Sequence, residues 1–423
     1  MATPLPPVGW WCMPGVLERF VADLIADEVA HLRPGGGVLP APPWSSELLL
    51  DEDGLGLDSL ERMSVASALN EALHLHESGV EDLLLVRRRF GDWVDLARTG
   101  LDHVSQRLTF RTSGSSGTPK PCLHDLASLE QEVDFLSELL AGGRRVLSAV
   151  PAHHIYGFLF TVLLPRRWEG GWAQDVRRMT PQALAGLLAP GDLLISHPAH
   201  WALLARHGGQ LPPGVVGVSS TAPCPAGLVE RLNDCGLQRL VQVYGSSETA
   251  GIGWRDTPAG PFRLMPHWSR LGGDDHVLQR LQSQGVHRSQ PLQDQLDWFD
   301  TVNFTVSGRR DQAVQVGGTN VFPGHVRQVL MAHPQVQEAA VRRMSADEGE
   351  RLKAFVVPRA GADRQLLPDE LARWVAQRLT TPERPKAFTL GERLPVNALG
   401  KAADWPCRQS EVGRAQHEGA LGP

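Results

Sequence analysis

The stretch Arg111-Thr112-Ser113-Gly114-Ser115-Ser116-Gly117-Thr118-Pro119-Lys120 constrains this chain more than any other. Its glycines allow positive φ and close backbone approach, so successive N–H groups can turn toward an anion. The hydroxyls add donors and Lys120 adds a full positive charge. An apolar run, Leu108-Thr109-Phe110, leads in like a strand. Such a loop is suited to holding a polyphosphate. A Walker loop is excluded because Thr118-Pro119 separates the last glycine from the lysine. A nucleophile elbow is excluded because Gly114-Ser115-Ser116-Gly117 lacks the second spacer. A plain Ser/Gly linker fits poorly with a single occurrence, a strand before it and Pro-Lys after it.

With 423 residues the chain is expected to form about two to three domains. Hydrophobic residues at 42% and charged ones at 21% supply enough apolar surface for several cores. A formal charge of -6 without a basic run argues against nucleic acid as the main partner. The five cysteines show no paired spacing, so neither a disulfide frame nor a C-x-x-C metal site is expected, and a reducing compartment is. No basic leader and no apolar run near the ~20 residues of a membrane helix is present. A soluble cytoplasmic chain without a membrane span is therefore expected.

Val16 to Leu32 carries apolar side chains at helical spacing, and a Pro/Gly-rich loop follows from Arg33 to Ser46. Asp58 or Ser59 can cap a helix running to about Leu73, with Val65, Leu69 and Leu73 on its apolar face. Shorter helical pieces lie near Gly79–Val86 and Phe90–Ala97. Helices in this order, with Asp58-Ser59-Leu60 opening the second, resemble an acyl carrier protein domain. The resemblance implies a four-helix module over residues 1–104 and a phosphopantetheine arm on Ser59, installed by a phosphopantetheinyl transferase. An ordinary N-cap pattern needs only Ser or Asp before a helix and explains the same residues.

Further on, strands and helices alternate: strands at Arg145–Val150, Asp192–Ser196, Val215–Ser219 and Leu240–Val243, helices at Ala199–Arg206 and Ala226–Leu232. That alternation predicts a mostly parallel α/β sheet with ligands beyond the carboxyl ends of its strands. Ser219-Ser220-Thr221-Ala222-Pro223 and Tyr244-Gly245-Ser246-Ser247-Glu248-Thr249 fall at those ends. A ring can stack on a base, a hydroxyl can meet phosphate and Glu248 can hold magnesium. Glu248 reads equally well as an acid at a helix N-terminus. The pair His153-His154 is of a metal-binding type, but neither an H-E-x-x-H pattern nor a nearby carboxylate accompanies it.

These motifs in order, together with two in the last third, resemble the adenylate-forming (ANL) superfamily of acyl- and aryl-CoA ligases over roughly Leu108 to Trp405. The resemblance implies ATP and Mg2+ as cosubstrate and cofactor, a large α/β domain over 105–309, a small mobile α+β domain over 310–406 and a tail over 407–423. It implies that the loop from Thr112 to Thr118 (Ser113, Gly114, Ser115, Ser116 and Gly117 between them) and Lys120 hold phosphates. Tyr244 and Gly245 lie beside the adenine with Ser220, Thr221 and Ala222, while Ser246 and Ser247 approach phosphate and Glu248 binds magnesium. His154 and Ser219 line the acyl side. The family's Thr-Gly-Asp segment is reduced to Leu292-Gln293-Asp294, so Asp294 with Arg309 is assigned to the ribose hydroxyls, Asp297 and Asp300 being fallbacks. Asp311 is the hinge, Gly317 and Gly318 line the thiol tunnel, and Lys401 is the adenylation lysine, neutralising charge that builds in the transition state.

The chain departs from full-length relatives in its short segment before the phosphate loop. Compact ligases of this kind resemble the hydroxybenzoate-activating enzymes of xanthomonadin and aryl polyene pigment pathways. The expected activity is activation of an aromatic carboxylic acid as its adenylate and transfer to a phosphopantetheine thiol of CoA or an acyl carrier protein. A vestigial ligase acting as a docking protein, and adenylation followed by amide formation, are the other readings of the motifs.

Overall fold

The computed structural model describes residues 9–33, 39–112, 120–143, 145–271, 274–281, 287–309, 313–345, 348–395 and 403–406. Residues 113–119, where the phosphate loop is expected, and Asp311 and Lys401, expected as hinge and adenylation lysine, lie outside them. The chain divides into two units at residues 311 and 312.

In the large unit, helix α1 spans Val16–Leu32, α2 Ser59–Leu73, α3 Glu81–Val86 and α4 Phe90–His103. The start of α2 is fixed by a capping box. Asp58 accepts from the N–H groups of Leu60 and Glu61, both at 2.8 Å, and Glu61 accepts from the Asp58 N–H at 3.0 Å. Strands β1 (Arg107–Thr112) and β2 (Lys120–Asp125) pair antiparallel, and α5 (Leu126–Leu139) follows.

The central sheet has nine strands. Strands β3 (Arg145–Ser148), β4 (Trp172–Asp175), β5 (Leu193–Ser196), β6 (Val216–Ser219) and β7 (Arg239–Ser246) pair in parallel. Helices α6 (Ile155–Phe158), α7 (Pro181–Leu187), α8 (Pro198–His207) and α9 (Ala226–Asp234) connect them. All four residues of β5 are buried, because a parallel sheet is covered on both faces. After β7 the pairing turns antiparallel through β8 (Ala250–Arg255) and β9 (Phe262–Leu264). Strands β10 (Trp268–Leu271), β11 (Asp274–Leu281) and β12 (His287–Pro291) form a separate three-stranded sheet. The chain then returns to the central sheet as β13 (Asp294–Trp298) and β14 (Asn303–Arg309). The segment from Pro261 to Val306 is thus shared between two sheets.

The small unit pairs β15 (Val314–Val316) with β16 (Thr319–Val321) across Gly317-Gly318. Both glycines have positive φ, 58° and 86°, which a two-residue hairpin turn requires. Pro323 opens α10 (Pro323–Met331), and β17 (Val336–Arg343), β18 (Leu352–Pro358) and β19 (Ala387–Leu390) form a second sheet against α10 and α11 (Leu367–Ala376).

The N-terminal helices do not form the separate carrier-like module expected over 1–104. Their apolar side chains share one continuous core with the central sheet. Trp10, fully buried, meets Phe158 of α6 edge-on at 5.0 Å and Phe20 of α1 at 5.5 Å. Arg19 donates to the Thr161 carbonyl at 2.6 Å, and Asp23 accepts the Ala152 N–H at 2.7 Å. Helical spacing located these helices correctly but carries no information about which surface each face buries. Replacing Trp10 with Ala is expected to destabilise the whole large unit by about 3–5 kcal/mol. Denaturant unfolding monitored by far-UV circular dichroism checks this. An N-terminal transition separating from the rest would restore the independent module.

Candidate functional site

Parallel pairing brings the carboxyl ends of β3, β5, β6 and β7 to one edge. Tyr156 staples that edge, its buried hydroxyl lying 3.0 Å from the Ser196 carbonyl and 3.1 Å from that of Val218. The residue after it must be glycine, since a Cβ on Gly157 would lie 1.8 Å from the Pro151 carbonyl oxygen. Tyr156 and Gly157, which follow the His153-His154 pair, therefore have structural reasons. His154 is the residue before α6, makes no side-chain capping bond and is exposed. Crowding of the rest of its ring, then the neighbouring His153, push its pKa down to about 3, so the imidazole is neutral.

At the end of β6, Ser219 is buried and Thr221 takes a left-handed conformation with φ 75°. Such a backbone is uncommon for a threonine and aims the Ser220–Ala222 turn. At the end of β7, Tyr244 packs its ring against Phe262 and Phe304, both at 5.6 Å, and donates its hydroxyl to Asp294 at 2.6 Å. Asp294 faces Arg309 in the β13–β14 register, so the acid and the base expected to share a ribose are brought together at backbone level.

Ser247-Glu248-Thr249 is the turn of the β7–β8 hairpin. No helix follows, so the helix-terminus reading of Glu248 fails. The turn is tightly held. The Thr249 hydroxyl lies 3.0 Å from that of Ser246 and donates to the Ala250 carbonyl at 2.9 Å. A Cβ on Gly245 would come within 2.1 Å of that same carbonyl oxygen. Gln290 of β12 donates to the Glu248 carbonyl at 3.2 Å, and His124 of β2 donates from Nε2 to the Ser247 carbonyl at 2.6 Å. The strand that leaves the phosphate loop is thereby bonded directly to the turn that carries Glu248.

Glu248 opens on a cleft of about 220 Å3 with Cys122, His124, Arg280 and Arg288 on its walls. A carboxylate beside cationic walls suits a bound polyphosphate with magnesium. Mg2+ commonly takes one or two protein carboxylates and leaves its other positions to phosphates and water. Burial, with Glu248 adding to it, pushes the Cys122 thiol up to about 12, so it is held as the neutral thiol. Below the turn, fully buried Glu132 accepts the Gly251 N–H at 2.9 Å and faces Arg280 at 3.5 Å. Burial raises it to about 7 despite that guanidinium.

In the small unit, Lys401 lies outside the described residues, but its flanks are fixed. The Ala403 N–H donates to the Pro395 carbonyl at 3.0 Å. Lys353, almost fully buried, donates to the Trp405 carbonyl at 2.6 Å and pairs with Asp404 at 3.1 Å. Sequence reasoning missed Lys353, His124 and Asp23, because each acts on a partner more than fifty residues away. Ser59 is the exposed first residue of α2, next to its cap.

Residues 109–273 match the family described as AMP-binding enzyme, and residues 325–401 match the AMP-binding enzyme C-terminal domain. The chain is 40% identical over 388 residues to a 4-coumarate–CoA ligase of Halorhodospira halophila, covering 90% of this chain and 97% of that one. It is also 40% identical over 399 residues to a 4-coumarate–CoA ligase of Rhodobacter capsulatus, covering 92% and 100%. Among solved structures it is similar to an o-succinylbenzoate CoA synthetase of Bacillus subtilis bound to a product analogue. There the TM-score is 0.59 at 17% identity, over 92% of this chain and 91% of that one. An amide bond synthetase of Marinactinospora thermotolerans gives a TM-score of 0.59 at 19% identity, over 91% and 92%.

Burial holds the His124 pKa down at about 4, although its bond to Ser247 works the other way. An unfolded histidine near 6.5 binds its proton first, so this residue's stabilising contribution is complete above pH 6.5 and is lost as pH falls through 4. At pH 5 the loss is about 2 kcal/mol. His124→Gln keeps a donor for Ser247 but does not titrate. Urea unfolding at pH 7 and pH 5 is expected to show a smaller acid loss in that variant.

Proposed function

Because the chain belongs to the AMP-binding enzyme family, we propose that it joins 4-coumarate, or a close hydroxylated aromatic acid, to the thiol of coenzyme A. It is an AMP-forming acid–thiol ligase. The observation that carries the proposed acid is 40% identity to 4-coumarate–CoA ligases along almost their whole length. A hydroxybenzoate, suggested by the compact size, is the narrower competitor.

The acid's carboxylate oxygen attacks the α-phosphorus of ATP, the bond to the bridging oxygen breaks, and pyrophosphate leaves. Lys120 and the hydroxyls and N–H groups from Thr112 to Thr118 hold the departing phosphates. Glu248 would hold Mg2+, which supplies charge neutralisation on the phosphate chain. Tyr244, with the Ser220–Ala222 turn, packs the adenine, while Asp294 accepts from and Arg309 donates to the ribose hydroxyls. Ser246 and Ser247 present the turn to phosphate, and His154 and Ser219 border the acyl group. Lys401 places its ammonium between the carboxylate and the α-phosphate, where negative charge accumulates. The thiol sulfur, entering past Gly317 and Gly318, then attacks the acyl carbon. The bond to AMP breaks and AMP leaves.

Free coenzyme A is the acceptor in this reading, not an arm on Ser59. Asp58-Ser59-Leu60 is accounted for by the capping box, and the helices around it are part of the large unit's core. A vestigial docking role is not favoured, since Tyr244, Asp294 and the Glu248 turn are held by specific contacts.

4-Coumarate is expected to drive ATP–pyrophosphate exchange faster than 4-hydroxybenzoate, and Lys401→Ala to lower that exchange roughly 100- to 1000-fold. Unchanged exchange in the variant would remove Lys401 from the reaction. Incubation with a phosphopantetheinyl transferase and coenzyme A is expected to leave the intact mass unaltered. A phosphopantetheine adduct lost in Ser59→Ala would reinstate the carrier arm.

A further inference from the structure

His153 and His154 lack a carboxylate near them in sequence, but the fold supplies one from far away. Polar residues Arg19, Asp23, Asp27 and His31 recur every fourth position along α1 and so share one face of the helix. Two of them are committed. Arg19 bonds to Thr161, and Asp23 takes the Ala152 N–H and the Arg177 guanidinium, the latter at 2.5 Å. Asp27, one turn on, faces the histidine pair.

One ligand atom from each of Asp27, His153 and His154 lies within 4.8 Å of the other two. The two imidazoles are 4.1 Å apart between ring centres. The His153 side chain is only 9% exposed, yet neither ring nitrogen makes a hydrogen bond. Its Nε2 stands 3.4 Å from Asp27 Oδ2, too long to satisfy it well. Buried polar atoms are otherwise nearly always paired, so an unsatisfied imidazole aimed at a carboxylate and a second imidazole marks a place for a ligand. His31 is not counted among the ligands, because its Nδ1 donates to the Asp27 backbone carbonyl at 2.8 Å. The nearest fixed cations do not compete for Asp27, because Arg177 is engaged by Asp23 and Asp175.

We propose that Asp27, His153 and His154 bind a divalent cation of the zinc class. Two imidazole nitrogens and one carboxylate oxygen are the donor set of three-ligand zinc sites that keep an open fourth position, and they are a poor set for magnesium. The cation would tie α1 to the loop before α6 and fix His154 in place. This site is separate from the phosphate-side magnesium, which Glu248 serves. A second cluster, His74, His76 and Glu77, is the weaker candidate. His74 already contacts Glu77 at 3.2 Å and Thr109 at 3.0 Å, and Arg107 pairs with Glu77 at 2.8 Å.

Cobalt(II) titration of the metal-free full chain, read by its visible d–d absorption, tests the proposal. Competition with zinc sulfate then reports zinc affinity. The expected result is one saturable equivalent with the intense band of a four-coordinate site, displaced by zinc. Loss of an outer-shell partner alone costs 10–100-fold in affinity, so Asp27→Asn and His153→Gln should each weaken binding by roughly that factor or more. His76→Ala should leave it unchanged, and circular dichroism should show each variant folded. Absence of saturable binding at micromolar metal, or binding that survives both ligand variants, overturns the proposal. Binding abolished by His76→Ala does so as well.

Discussion

One tyrosine hydroxyl, shared between two carbonyl oxygens, sets the frame on which everything else is hung. Tyr156 sits between the ends of β5 and β6 and holds the first turn of α6 against them. In a parallel sheet each strand ends at the same edge, but nothing in the ladder fixes how the loops beyond it leave. The buried phenol does that for the loop carrying His153 and His154, and Gly157 lets the helix come close enough. Its pKa is raised well above the ordinary tyrosine value by burial, so it stays a neutral donor at any working pH.

From that edge the large unit is organised by side chains that cross long stretches of sequence. Asp23 of α1 bonds the loop before α6, and His124 of β2 bonds the turn that carries Glu248. Tyr244 of β7 bonds Asp294 of β13. Each of these contacts is buried or partly buried and directional. Each sets the position of a group that the proposed chemistry uses. The described N-terminal helices therefore belong to the core of the large unit, with Trp10, Phe20 and α1 packed into it.

Much of this was legible in the sequence. The boundaries of α1 and α2 and the parallel strands follow from periodicity and caps, which are local. The ordered motifs gave the family, which the comparisons bear out. What local reasoning could not see was partnership. Apolar spacing made α1 a helix but did not say that its polar face, Asp23 and Asp27, would meet residues more than 120 positions on. The same blindness made four N-terminal helices look like a self-contained carrier module, when their apolar faces close the core of the sheet. Glu248 at a helix start was a reasonable reading of Ser-Ser-Glu, and only the antiparallel β8 shows it to be a hairpin turn.

The account stands on the acid being activated at the α-phosphate of ATP before any thiol is involved. Rapid-quench single-turnover analysis of the enzyme with 4-coumarate, magnesium and ATP, without coenzyme A, tests that directly. An enzyme-bound coumaroyl-adenylate should accumulate with stoichiometric pyrophosphate, then convert to thioester and AMP on adding coenzyme A. Release of ADP and inorganic phosphate, or thioester formation with no adenylate at any time, would contradict it.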